Sequence, residues 1–279
     1  DRTAPIISLT GASTIHQEQG SAFTDPGASA SDIIDGDVSL GIVMTGSVDT
    51  STAGNYTRSY NVSDAAGNAA ITVTRTVTVA DTTIPVITLT GSNPLNHEVG
   101  TIFIDPGATA SDNIDGVISA NIGVSGSVDA NTIGSYSLTY NVSDSSNNAA
   151  TTLTRTVNVV DTGAPSIVLI GDNPILHELQ TVFTDPGATA SDASDGDLSS
   201  SIVATGTVDV NAAATYVLSY DVVDSQSNAA TTVTRNVIVA DRTAPIITLT
   251  GNASVNAEQG LSYTDAGATA SDIIDGDIS

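Results

Sequence analysis

The chain runs to 279 residues and carries a formal net charge of −25, from 31 acidic residues against six arginines, with no lysine, cysteine or tryptophan. So acidic a surface repels nucleic acid, and the missing cysteines exclude disulfides, thiolate metal centres and cysteine nucleophiles. No apolar run approaches the roughly 20 residues that a membrane helix needs, so direct membrane insertion is not expected.

Four copies of one pattern align without insertion, beginning at Asp1, Asp81, Asp161 and Asp241. In the second copy the first predicted strand follows Pro85 and turns Ile87 and Leu89 inward. Proline suits a strand's first position because its missing N–H is not needed there. Gly91 ends that strand, as Gly11, Gly171 and Gly251 end theirs, where a positive φ is expected. Short strands are predicted near 92–98, 107–112 and 121–128, with Asp-Gly turn chemistry at 115–116. Next, Tyr136, Leu138, Tyr140 and Val142 alternate with Ser135, Ser137, Thr139 and Asn141, which is the period of a half-buried strand. The polar turn Asp144–Asn148 closes a hairpin, and Leu153, Val157 and Val159 form the inward face of the returning strand.

Seven or so short strands in 80 residues, with no helical period, predict an all-β fold of two packed layers. The expected modules are 1–80, 81–160 and 161–240, followed by 241–279 as the N-terminal half of a fourth. Opening at Asp1 in mid-pattern without a signal peptide, the chain reads as a piece of a longer secreted polypeptide. The half module is expected to be completed by the parent chain's continuation, or by strands from a neighbouring chain.

The motifs D-x-x-x-P-x-I-x-L, D-P-G-A-x-A-x-D-x-x-D-G-D, G-x-V-D, Y-x-x-x-Y-x-V-x-D and R-x-V-x-V follow one another in fixed order. In these residues the chain resembles the bacterial Ig-like domain family of surface proteins, close to the hyalin-repeat type. Departures are few: Ala266 stands for the Pro, Val117 for an Asp and Ala214 for Gly54. The resemblance implies tandem immunoglobulin-like β-sandwich modules of about 80 residues, in a large secreted or cell-surface bacterial protein, without catalytic activity.

Strand parity gathers acidic loops where one module meets the next. Asp81, Asp112, Asp115 and Asp144 are expected at one joint, and Asp161, Asp192, Asp195, Asp197 and Asp224 at the following one. Asp241, Asp272, Asp275 and Asp277 repeat the set. Calcium takes six to eight oxygen ligands, so converging carboxylates suit it and calcium is the candidate cofactor. The competing reading is that these aspartates cap turns by accepting backbone N–H bonds, and D-x-x-D-G-D is not the EF-hand spacing. Arg75, Arg155 and Arg235 fall in register with inward Val and Leu and need partners. A structural salt bridge to a loop Asp, or to Glu18, Glu98 or Glu178, is expected of them. A receptor for carboxylate or sulfate is the alternative.

His16, His97 and His177 lie in separate modules, which is incompatible with zinc or Ser-His-Asp chemistry. Carboxylate pairs recur identically in every module, so no enzyme is expected. With no lysine, Lys–Asn isopeptide cross-links are impossible, leaving hydrogen-bonded ladders, stiff linkers or metal to provide strength. The sequence therefore predicts an extracellular stalk or extender in an elongated rod, whose partners are neighbouring modules of the parent chain. Two alternatives are glycan-binding accessory modules, beside a secreted hydrolase and gripping surface polysaccharide, and the subunit of a filament built from other copies.

Overall fold

The structure is a computed structural model covering residues 1–279. It is all-β, with three single 3-10 turns and no helix long and apolar enough to cross a membrane. Seven strands make up the first repeat: β1 (Ile6–Leu9), β2 (Thr14–Glu18), β3 (Ala28–Asp32), β4 (Gly36–Asp37), β5 (Val43–Thr45), β6 (Gly54–Asn61) and β7 (Val73–Ala80). They form two sheets, β1-β3-β4 and β2-β7-β6-β5. Neighbours are antiparallel except β2, which runs parallel to β7 from Thr14 opposite Thr76 to Glu18 opposite Ala80. The chain changes sheets between β1 and β2, and Gly11 at φ 85° permits the turn.

The alternation read from the sequence sets the faces. Along β7, Arg75, Val77 and Val79 are buried, while Thr74 is exposed and Thr76 and Thr78 lie between. Tyr56 and Tyr60 of β6 stand opposite Val77 and Val73. Ile7, Ala30, Tyr60 and Val62 form the first core, with Leu9, Val38, Ile42 and Val73 packed on it. The second repeat builds the same core from Ile87, Ala110, Ile118, Leu138, Tyr140, Val142 and Val157. In the third, Leu218, Tyr220, Val237 and Val239 do so. Each fully buried valine contributes about 2 kcal/mol, which is how so small a unit holds together with few aromatics.

The strand expected near 92–98 is shorter than predicted, Leu95–Glu98, and follows a cis Asn93–Pro94 bond. The segment expected near 121–128 becomes a 3-10 turn at Ser119–Asn121 and a strand at Gly123–Ser125. Residues 1–97, 102–130 and 134–159 form one compact unit, and residues 98–101, 131–133 and 160–279 form a second.

Residues 241–279 make a single three-stranded sheet of Ile246–Leu249, Ala268–Asp272 and Gly276–Asp277. Residues 254–258, which correspond to β2, form no strand. Ile247 is 72 % exposed, against 8 % for Ile7 and Ile87 at the same repeat position.

Candidate metal centre and the buried arginine clamp

Arg75, Arg155 and Arg235 are each wholly buried. Their partners are Asp25, Asp105 and Asp185 of the Asp-Pro-Gly segments. Glu18, Glu98 and Glu178, the other expected partners, are engaged elsewhere. The guanidinium of Arg155 donates to the carbonyls of Ser92 at 2.9 Å, Thr90 at 2.6 Å and Gly107 at 2.8 Å. It lies 3.4 Å from Asp105, and Tyr140 donates its hydroxyl to that carboxylate at 2.8 Å. Arg, Tyr and Asp thus clamp the last strand to the end of the first strand and the loop before the third. A buried guanidinium is tolerable here because several acceptors meet it.

Burial pushes the carboxyl of Asp25 up, but the Gly27 N–H, the Tyr60 hydroxyl and the charge on Arg75 outweigh it and leave it lowered. Burial, with Asp25 beside it, pushes Tyr60 up to about 12. Only the first repeat adds a second cation, Arg58, 3.0 Å from Asp25. Leu138 and Leu218 hold that position in the other two repeats. The arginines leave the expected joint carboxylates free.

Glu18 ends β2 and reaches past it. Its carboxylate accepts the N–H and hydroxyl of Thr82 and the hydroxyl of Thr83, the residues that follow β7 and Asp81. The Thr82 hydroxyl is the main reason its carboxyl drops to about 2, against the opposing effect of burial. Glu98 makes the same contact with Thr162 and Gly163, and Glu178 accepts the N–H of Arg242.

The acidic loops converge. Asp81, Asp112 and Asp144 each offer one oxygen, and these oxygens lie within 4.8 Å of one another. Asp161, Asp195 and Asp224 form the equivalent cage, as do Asp241, Asp272 and Asp275. Asp81 is 6 % exposed and Asp161 7 %. One oxygen of each accepts a backbone N–H, from Thr83 or Gly163, while Oδ2 is buried with no partner. Burial pushes both carboxyls up, more than that single N–H offsets, and Asp112 and Asp144, or Asp192 and Asp224, add to the rise.

Several predicted ligands are also turn caps. Asp112 Oδ1 accepts the N–H groups of Ile114 and Asp115, and Asp144 holds both the N–H and the side-chain amide of Asn148. Asp115 accepts the N–H and hydroxyl of Ser145 and is not one of the three around Asp81, whereas Asp195, which accepts the same pair from Ser225, and Asp275 are cage members. Asp192 stands next to Asp161 without joining the three.

Asp197 and Asp277 lie outside these groups of three. Each caps the N–H two residues on, at Ser199 or Ser279, and neither enters a cage. The sequence also missed a first cage, Asp1, Asp35 and Asp64, which the repeat period alone would have supplied. It missed the Asp105–Tyr140 pair too, although both residues recur at fixed positions in the first three copies.

His97 and His177 stack edge-on against Phe103 and Phe183 within their own repeats.

The family model described as "Bacterial surface protein, Ig-like domain" matches residues 7–79, 87–159 and 167–239. No curated protein matches the chain. Among solved structures, a lipoprotein from Bacteroides thetaiotaomicron is 19 % identical with a TM-score of 0.26, over 55 % of this chain and 98 % of that one. Domains 4–9 of the surface layer protein SbsC are 13 % identical with a TM-score of 0.24, over 89 % of this chain and 50 % of that one. The sialic acid binding region of a Streptococcus sanguinis adhesin is 16 % identical with a TM-score of 0.23, over 87 % and 79 %. Likenesses this low carry no argument about function.

Proposed function

Because the chain belongs to the family of Ig-like domains of bacterial surface proteins, we propose that its repeats serve as the extender of a large extracellular protein, setting the distance between the cell and whatever the parent protein carries. The observation that supports this most directly is the linker after β7. Glu18 of the first repeat holds Thr82 and Thr83, and Asn148 of the second donates its amide to the carbonyl of Asp81 at 3.1 Å. A linker gripped from both sides has little freedom to flex. A linker that merely joined independent binding modules would need no such contacts. The reading is non-enzymatic: the buried arginines of the first three repeats are all taken up by the Arg-Asp-Tyr clamp.

The test is length against copy number. Small-angle scattering of chains with increasing numbers of repeats should show a maximum dimension growing by about 35 Å per copy, the span of some ten extended residues. A dimension that grows only as the cube root of mass would refute an extender. Capture of the purified chain on a panel of polysaccharides would move the reading to glycan-binding modules, and fibres in electron micrographs would move it to a filament subunit.

A further inference from the structure

We propose that the cages formed by Asp81, Asp112 and Asp144, and by Asp161, Asp195 and Asp224, are calcium sites. The assignment stands on cage geometry and does not depend on the extender reading.

Distance is the first argument. Oxygens bound to one calcium ion at about 2.4 Å lie at most about 4.8 Å apart, and every pair in each cage meets that limit. Magnesium holds its own water strongly and is ordinarily bound through one or two carboxylates rather than by an all-protein cage of three. The donors are all carboxylate oxygens, with no His or Cys among them, which disfavours zinc and copper.

Independent support comes from the orphaned oxygens. Asp81 Oδ2 and Asp161 Oδ2 are shut off from water and have no hydrogen-bond donor, yet each sits among other carboxylates. An acceptor in that position is costly unless something positive meets it. No arginine does so: all four salt bridges in the chain end on Asp25, Asp105 or Asp185. The chain has no lysine to take the place. Nor is the arrangement a single accident. Asp272 Oδ2 is orphaned in the cage with Asp241 and Asp275, and Asp32 Oδ2 is orphaned in the first repeat, where Asp1, Asp35 and Asp64 converge. A divalent ion supplies what each cage lacks, and it ties Asp81 in the linker to two loops of the second repeat.

Calorimetric titration of the chain with calcium, in about 150 mM NaCl to screen diffuse attraction, tests this. The expected result is a saturable isotherm with at least two ions per chain, and a melting temperature about 5 °C or more higher in calcium than in EDTA. The variant D81N/D161N keeps the Oδ1 acceptors of Thr83 and Gly163. It should melt no lower than wild type in EDTA and bind two fewer ions. D112N, which keeps its turn, should lose one ion and provides a second route if the double variant folds poorly. Absence of a saturable isotherm and of a melting shift in wild type would overturn the proposal. So would uptake unchanged in both variants, or an equal response to magnesium. None of these results would alter the growth of length with copy number, so the two readings fail separately.

Discussion

Glu18 accepts hydrogen bonds from the N–H and the hydroxyl of Thr82, 64 residues further along the chain. A side chain at the end of β2 thereby holds the first turn of chain after β7, and the contact recurs between Glu98 and Thr162. These carboxylates are structural acceptors, which gives them a pH signature.

Glu18 has a folded-state value of about 2, below its ordinary 4.5, so its contribution is present above pH 4.5 and disappears as pH falls toward 2. E18Q should cost about 1 kcal/mol at neutral pH. Urea unfolding of both proteins at stepped pH should show a gap that is constant above pH 5 and narrows below 4.5. A gap unchanged down to pH 3 would contradict the assignment.

The clamp should divide the arginines by burial. R155M strands the carbonyls of Ser92, Thr90 and Gly107 and the carboxylate of Asp105, and should cost about 3–5 kcal/mol. R58L introduces the residue that the next two repeats use, leaves Asp25 with Arg75 and Tyr60, and should cost less than about 1 kcal/mol. Denaturant midpoints of the two variants decide the matter, and similar losses would mean that burial is not what makes the clamp matter.

Tyr60 and Tyr220 are both pushed up to about 12, chiefly by burial and then by Asp25 or Asp185. A raised value means the folded state retains the proton longer than the unfolded chain. The associated stability is whole below pH 10 and is lost as pH climbs through 12. Thermal melts across this window should fall steeply for wild type and less steeply for Y60F/Y220F.

Glycine substitutions should separate strain from collision. At Gly126, with φ at 100°, an added Cβ would stand 2.2 Å from the carbonyl oxygen of Ser137, so G126A should lose at least about 3 kcal/mol. At Gly116, with φ at 69°, nothing lies within 4 Å, and G116A should pay only the backbone term of about 1–2 kcal/mol. Comparable losses in the two variants would show that the close approach at Gly126 relaxes freely.

The repeat, the strand faces and the turns were legible in the residues because each depends on neighbours close in sequence. Period-two alternation through Tyr136, Leu138 and Tyr140 needs no knowledge of the partner strand, and a glycine that ends a strand declares its φ locally. The acidic convergence was legible in outline, since strand parity alone carries Asp81, Asp112 and Asp144 to one end. Parity has a resolution of one end of a sheet, however, and that is too coarse to separate Asp195 inside a cage from Asp197, which caps Ser199.

Order along the chain therefore determined that this protein is a series of copied β-sandwiches with acidic loops and buried arginines. Tertiary structure alone decided which carboxylate each arginine meets, which aspartates face one another and which oxygens are left without a donor. The physical reason is range. Propensity and periodicity act over a few residues, whereas Asp25 and Arg75 are 50 apart and Glu18 and Thr82 are 64 apart. Contacts of that kind are fixed only when two sheets pack and their connecting loops take up side-chain geometry.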